Sequence, residues 1–64
     1  MDSTTELLTI KEVAEFLKVS PMSVRRLQQG RHLAFIKIGG SVRFDKSDIV
    51  NFLKKQTVEA INGF

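Results

Sequence analysis

At 64 residues the chain has room for one small domain and none for a separate catalytic or effector module. It has no cysteine and a single histidine, His32, which excludes disulfides, thiolate metal sites and histidine clusters, while 42% hydrophobic residues argue against a disordered chain. The net charge of +3 is small, so its placement along the chain carries more meaning than its size.

The first residues, Met1-Asp2-Ser3-Thr4-Thr5-Glu6, are polar and acidic, unlike the basic start and apolar stretch of a secretory signal. No apolar run approaches the length needed to cross a bilayer, so a cytoplasmic protein with no membrane partner is expected. Residues 1–8 show no clear period and read as a flexible lead-in, with Leu7 and Leu8 available for packing. Thr9-Ile10-Lys11-Glu12 fits a capping box, with Thr9 as N-cap and Glu12 reaching back to it. Ile10, Val13, Ala14 and Leu17 then recur at helical spacing, while Lys11, Glu15 and Lys18 fall off that stripe, which predicts a first helix over 10–18.

Val19-Ser20-Pro21 is a second start signal: Ser20 can cap free N–H groups, and Pro21 suits the first helical position, where a missing N–H costs nothing. This helix runs to about Gln29 and is expected to end at Gly30. Two short helices joined by so brief a turn have the grammar of a helix-turn-helix. On a helical wheel Val24, Leu27 and Gln28 gather on one side, and Met22, Arg25, Arg26 and Gln29 on the other. Arg can pair with a guanine edge and Gln with an adenine edge through two hydrogen bonds each, so this outer face is a suitable set for reading a major groove. An ordinary solvated helix face is the alternative. Met22 is either a core residue or a contact to a thymine methyl.

Phe35-Ile36-Lys37-Ile38 and Ser41-Val42-Arg43-Phe44 flank Gly39-Gly40, a hairpin signal, since glycine accepts the positive φ that two-residue turns require. Alternation predicts Ile36, Ile38, Val42 and Phe44 on a packed face, with Lys37, Ser41 and Arg43 on the other. The glycine tip permits close backbone approach to phosphate. Arg43 either braces the turn or contacts a polyanion. Asp45 and Asp48 place negative charge at the start of a third helix, as its dipole favours. Ile49, Phe52 and Leu53 form its apolar stripe, and Ala60 and Ile61 extend the spacing to about residue 61.

Charge follows this order of elements. Residues 1–16 carry four acids (Asp2, Glu6, Glu12, Glu15) against Lys11, a net −3. Residues 17–44 carry Lys18, Arg25, Arg26, Arg31, Lys37 and Arg43 and no acid, a net +6. Residues 45–64 balance three bases with three acids. A stretch free of carboxylates, containing the second helix and the hairpin, is what a polyanion-binding surface requires. There is no catalytic set: His32 has no Ser/His/Asp arrangement around it and reads as a turn residue near phosphate. Gly39-Gly40 lacks the Gly-Lys-Ser/Thr of a nucleotide loop. Neither enzyme activity, a metal nor a cofactor is expected.

The run Leu8-Thr9-Ile10-Lys11-Glu12-Val13-Ala14-Glu15-Phe16-Leu17-Lys18-Val19-Ser20 resembles the opening of the excisionase-type helix-turn-helix family. The likeness continues through Val24-Arg25-Arg26-Leu27, Ile36-Lys37-Ile38-Gly39-Gly40, Val42-Arg43-Phe44 and Asp48-Ile49-Val50-Asn51-Phe52-Leu53, covering roughly residues 7–54. Two positions depart from the family pattern: the Gly two places before the Leu that follows the second helix is Arg31 here, with glycine shifted to Gly30, and the Pro after that Leu is Ala34.

The resemblance implies an α+β, mainly α, winged helix-turn-helix over residues 9–62, related to the DNA-binding domains of MerR-type regulators. It implies contacts to double-stranded DNA from Ser20, Met22, Ser23, Arg25, Arg26 and Gln29 on the second helix. The implied wing contacts come from Lys37, Gly39, Gly40, Ser41 and Arg43. It further implies a nucleoid-associated recombination directionality factor. Copies of the chain would bind neighbouring sites, bend the duplex and direct a tyrosine-type integrase toward excision of a mobile element, with Val58, Ile61 and Phe64 available for a protein contact. A small transcription regulator on the same fold is the alternative, and an RNA-binding or protein-interaction module a remoter one.

Overall fold

The computed structural model describes residues 6–58. In chain order these form strand β1 (Leu7–Leu8), helices α1 (Ile10–Leu17) and α2 (Pro21–Gln29), strands β2 (Ile36–Ile38) and β3 (Ser41–Asp45), and helix α3 (Lys46–Gln56). The three strands make one antiparallel sheet in the order β1-β3-β2. This is an α+β fold: a helix-turn-helix, a small sheet whose outer hairpin is the wing, and a C-terminal helix.

Each helix starts where a local side chain meets the free N–H groups of its first turn. In α1 the capping box is complete: the Thr9 backbone N–H donates to Glu12 Oε1 (2.8 Å), and the Glu12 N–H donates to Thr9 Oγ1 (3.1 Å). In α2 the Ser23 N–H donates to Ser20 Oγ (3.2 Å), with Pro21 in the first turn. In α3 the Ser47 N–H donates to Asp45 Oδ1 (2.9 Å).

The ends of α1 and α2 are Schellman turns built on cationic residues. Val19 N–H donates to Ala14 O (3.0 Å) and Lys18 N–H to Glu15 O (3.3 Å), with Lys18 left-handed at φ 62°. His32 N–H donates to Leu27 O (2.8 Å) and Arg31 N–H to Gln28 O (3.1 Å), with Arg31 at φ 60°. The left-handed residue after α2 is therefore Arg31, not Gly30, whose φ is −80°. A Cβ at Gly30 would lie 2.9 Å from Cδ2 of the exposed His32 ring, which can swing aside, and 3.3 Å from the Arg26 carbonyl oxygen.

Leu8, Val13, Ala14, Val24, Leu33, Phe44 and Ile49 form the buried core, drawn from β1, both helices of the helix-turn-helix, the following loop, β3 and α3. Ile10, Leu17, Leu27, Phe35, Val42 and Phe52 pack around it half-exposed. Phe44, Ile49, Val13 and Val24 are fully buried, so the wing strand and α3 are held to the helix pair by the same few side chains.

Three expectations are corrected. Leu7 and Leu8 belong to the sheet rather than to a lead-in: Leu7 pairs with Asp45, Leu8 pairs with Phe44, and Lys46 N–H donates to Glu6 O (2.9 Å). Residues 1–5 lie outside the described residues. Helix α3 stops at Gln56, because Thr57 takes an extended conformation (φ −67°, ψ 126°) and its hydroxyl donates to Leu53 O (2.9 Å). Ala60, Ile61 and Phe64, along with the rest of the stretch up to 62, lie outside the described residues.

The third correction concerns the hairpin. Ile38 pairs with Ser41, Lys37 with Val42 and Ile36 with Arg43 across the two-glycine turn. Directly paired residues share a face. Ile36 and Ile38 therefore stand with Arg43 and Ser41, and Lys37 stands with Val42. Ile36 and Ile38 are 40% and 53% exposed, so the packed face of the hairpin comes from β3 and not from β2. A two-residue connection fixes this register, and like-numbered parity on the two strands falls on opposite faces.

Candidate nucleic-acid interface

Helix α2 presents its outer face as the wheel predicts. Val24 is buried and Leu27 half-buried, whereas Met22, Arg25, Arg26 and Gln29 are exposed, Met22 to 56%. The exposed side is nevertheless divided. Arg25 and Pro21 line a wide, open cleft of about 410 Å³ that Gly40, Ser41, Val42 and Arg43 of the hairpin also line. Arg26 and Ser23 lie on the other flank and border an apolar groove with Leu17, Val19, Phe52 and Leu53. On the wheel Met22 and Gln29 fall between these flanks.

The two serines at the start of α2 are tied to each other and to the helix. Ser20 Oγ accepts the Ser23 N–H and lies 3.1 Å from Ser23 Oγ. The Ser20 hydroxyl can still take part in one further hydrogen bond and the Ser23 hydroxyl in two.

The wing tip consists of Gly39, left-handed at φ 60°, and Gly40, both exposed, with open space where a Cβ would stand. Lys37 and Ser41 are exposed, on opposite faces of the hairpin. Arg43 is half-buried, and its Nη1 donates to the Val42 carbonyl oxygen (2.9 Å). The guanidinium thus braces its own strand, and Arg43 also lines the cleft, so the two roles open to it are compatible. The wing cations are not one row: Arg43 lines the cleft, and Lys37 is not among its lining residues.

One cation at this place escaped the sequence reading. Lys11, in the first turn of α1, lines the same cleft as Arg25 and Arg43, with Thr9 and Ile10 beside it. Its position off the apolar stripe marks it only as solvent-facing, and nothing local in the sequence signals that the first turn of α1 sits beside the start of α2 and the hairpin.

Among the described residues the ion pair is Lys46–Glu6 (3.6 Å), with the Lys46 ammonium 5.6 Å from the centroid of Phe16. Lys11, Arg25, Arg26, Lys37 and Arg43 have no carboxylate within salt-bridge distance there. No group of three or more His, Cys, Asp or Glu among the described residues is placed to hold a metal ion. No helix there is long and apolar enough to cross a membrane. Guanidinium and ammonium groups without a carboxylate partner among the described residues, set beside hydroxyl and backbone donors, make a surface suited to attracting phosphate.

Comparison with known proteins agrees with this architecture. A family model described as a helix-turn-helix domain matches residues 7–57. A protein of Streptomyces ambofaciens named "Excisionase" is 43% identical over 58 residues, spanning 91% of this chain and 94% of that protein. No solved structure matches. The match runs from β1 through the end of α3, and the chain belongs to the helix-turn-helix domain family.

Proposed function

We propose that this chain is an excisionase-type recombination directionality factor with a MerR-like winged helix-turn-helix. It binds double-stranded DNA in a sequence-specific manner, α2 entering the major groove and the wing following the backbone or minor groove. The observation that carries this reading is the shared cleft: residues of α2 and of the hairpin line one open depression, so both elements can meet a single duplex. The excisionase relative, similar over nearly its whole length, supports the recombination role.

Ser20, Met22, Ser23, Arg25, Arg26 and Gln29 supply the helix contacts, and Lys37, Gly39, Gly40, Ser41 and Arg43 those of the wing. Bending a site smoothly costs about 1–6 kcal/mol, more than one small module provides easily. Several copies on adjacent sites therefore share the cost, and the bent array steers a tyrosine-type integrase toward excision. The protein acts in the cytoplasm, at the nucleoid.

The test is a footprint on the DNA flanking its own gene, with and without the neighbouring integrase. Tandem protected sites near the element's end, together with integrase-dependent excision, are expected. Protection confined to its own promoter, with no effect on excision, overturns the recombination role in favour of a transcription regulator. Absence of duplex binding at low ionic strength overturns both.

A further inference from the structure

Lys11, Arg25 and Arg43 come from three elements, α1, α2 and β3, and converge on one cleft of about 410 Å³. No acidic residue lines it, and among the described residues none of the three cations is in an ion pair. Three like charges gathered without a counter-charge repel one another, and an anion between them removes that repulsion. The rest of the lining narrows the choice of anion. Thr9 and Ser41 offer hydroxyls; Thr9 Oγ1 accepts the Glu12 N–H and leaves its own O–H free to donate. Ile10, Pro21 and Val42 add apolar walls, which suit a sugar ring better than a free inorganic ion. Arg43 is already fixed by its bond to the Val42 carbonyl, so little side-chain freedom is lost when it engages a ligand.

We propose that this cleft is a backbone clamp: it holds one sugar-phosphate unit of a DNA duplex strand, with Lys11, Arg25 and Arg43 around the phosphate. The inference rests on the DNA-binding reading and deepens it. Arg25, on the wing side of α2, contacts backbone and carries no sequence information, and α1 enters the interface through Lys11. Reading of base edges is left to Met22, Gln29 and Arg26, away from the cleft.

The experiment measures binding of the full chain to its footprinted duplex and to a random duplex across a salt series, by fluorescence anisotropy. Lys11→Gln and Arg25→Gln change exposed side chains, so unchanged melting temperatures are expected. Each is expected to flatten the slope of log K against log salt by about 0.9 and to weaken both duplexes equally, by up to about tenfold near 0.1 M salt. Lys11→Arg restores the slope. If the wild type binds and Lys11→Gln leaves its slope intact, the clamp is refuted while the DNA-binding reading stands. A change confined to the footprinted sequence also refutes it, because that is base reading. A wild type that binds no duplex overturns both readings together.

Discussion

Two residues with large charged side chains, Lys18 and Arg31, hold the left-handed backbone that closes α1 and α2. For an L-residue other than glycine this conformation costs about 1–2 kcal/mol, and a glycine there avoids most of it. Arg31 stands where the resemblance to excisionases places glycine, two residues before Leu33. Arg31→Gly is therefore expected to stabilise the fold by about 1 kcal/mol, which for a domain of this size raises the melting temperature by roughly 4–8 °C. Calorimetry checks the sign directly. Residues on the outer flank of α2 are expected to behave otherwise. Arg26→Ala is expected to leave stability unchanged and to lose about 1–3 kcal/mol of discrimination between the footprinted and a random duplex. Lys37→Ala is expected to weaken both duplexes alike. An Arg26→Ala protein with unaltered preference excludes that side chain from base reading.

At the scale of elements, what the sequence discloses depends on how local the determining contacts are. The starts of all three helices are legible because Thr9, Ser20 and Asp45 cap N–H groups two or three residues ahead. Thr9→Ala removes both bonds of the capping box and is expected to cost about 1 kcal/mol, read as a lowered denaturation midpoint at constant slope. The inward face of α2 is legible for the same reason of short range. Strand β1 is not: two residues have no period, and their partners, Phe44 and Asp45, lie beyond both helices of the helix-turn-helix. The hairpin is legible as a hairpin but not as to its faces. Apolar alternation suggests that Ile36 and Ile38 join Val42 and Phe44, whereas the register across Gly39-Gly40 puts them beside Ser41 and Arg43. Of the candidate site, the residue types and the helix face are readable. The cleft is not, since it is created by tertiary packing that brings Lys11 beside Arg25 and Arg43.

At the scale of the whole molecule the core is small: among the described residues it is seven buried side chains, with Phe44 and Ile49 the largest fully enclosed. A domain of this length is stable by about 3–10 kcal/mol. Phe44→Ala, at about 3–5 kcal/mol, is thus expected to remove a large part of that margin, seen as a strongly lowered thermal midpoint in helical circular dichroism. Marginal stability also makes the ligand a partner in folding. Duplex at a hundred times its dissociation constant adds about 2.7 kcal/mol, so the melting temperature is expected to rise with footprinted DNA and to fall back as salt is added. A rise that salt does not diminish contradicts an interface built on uncompensated cations.

The glycine pair at the wing tip also acts as a spacer whose length matters. Inserting one amino acid between Gly39 and Gly40 while the bend stays two residues long would shift the register by one and turn the outer strand over. The two isoleucines now beside Ser41 and Arg43 would swing toward the side of Phe44, and Lys37 would move to theirs. Which charges the wing offers is therefore set as much by how many residues make its bend as by which residues make its strands.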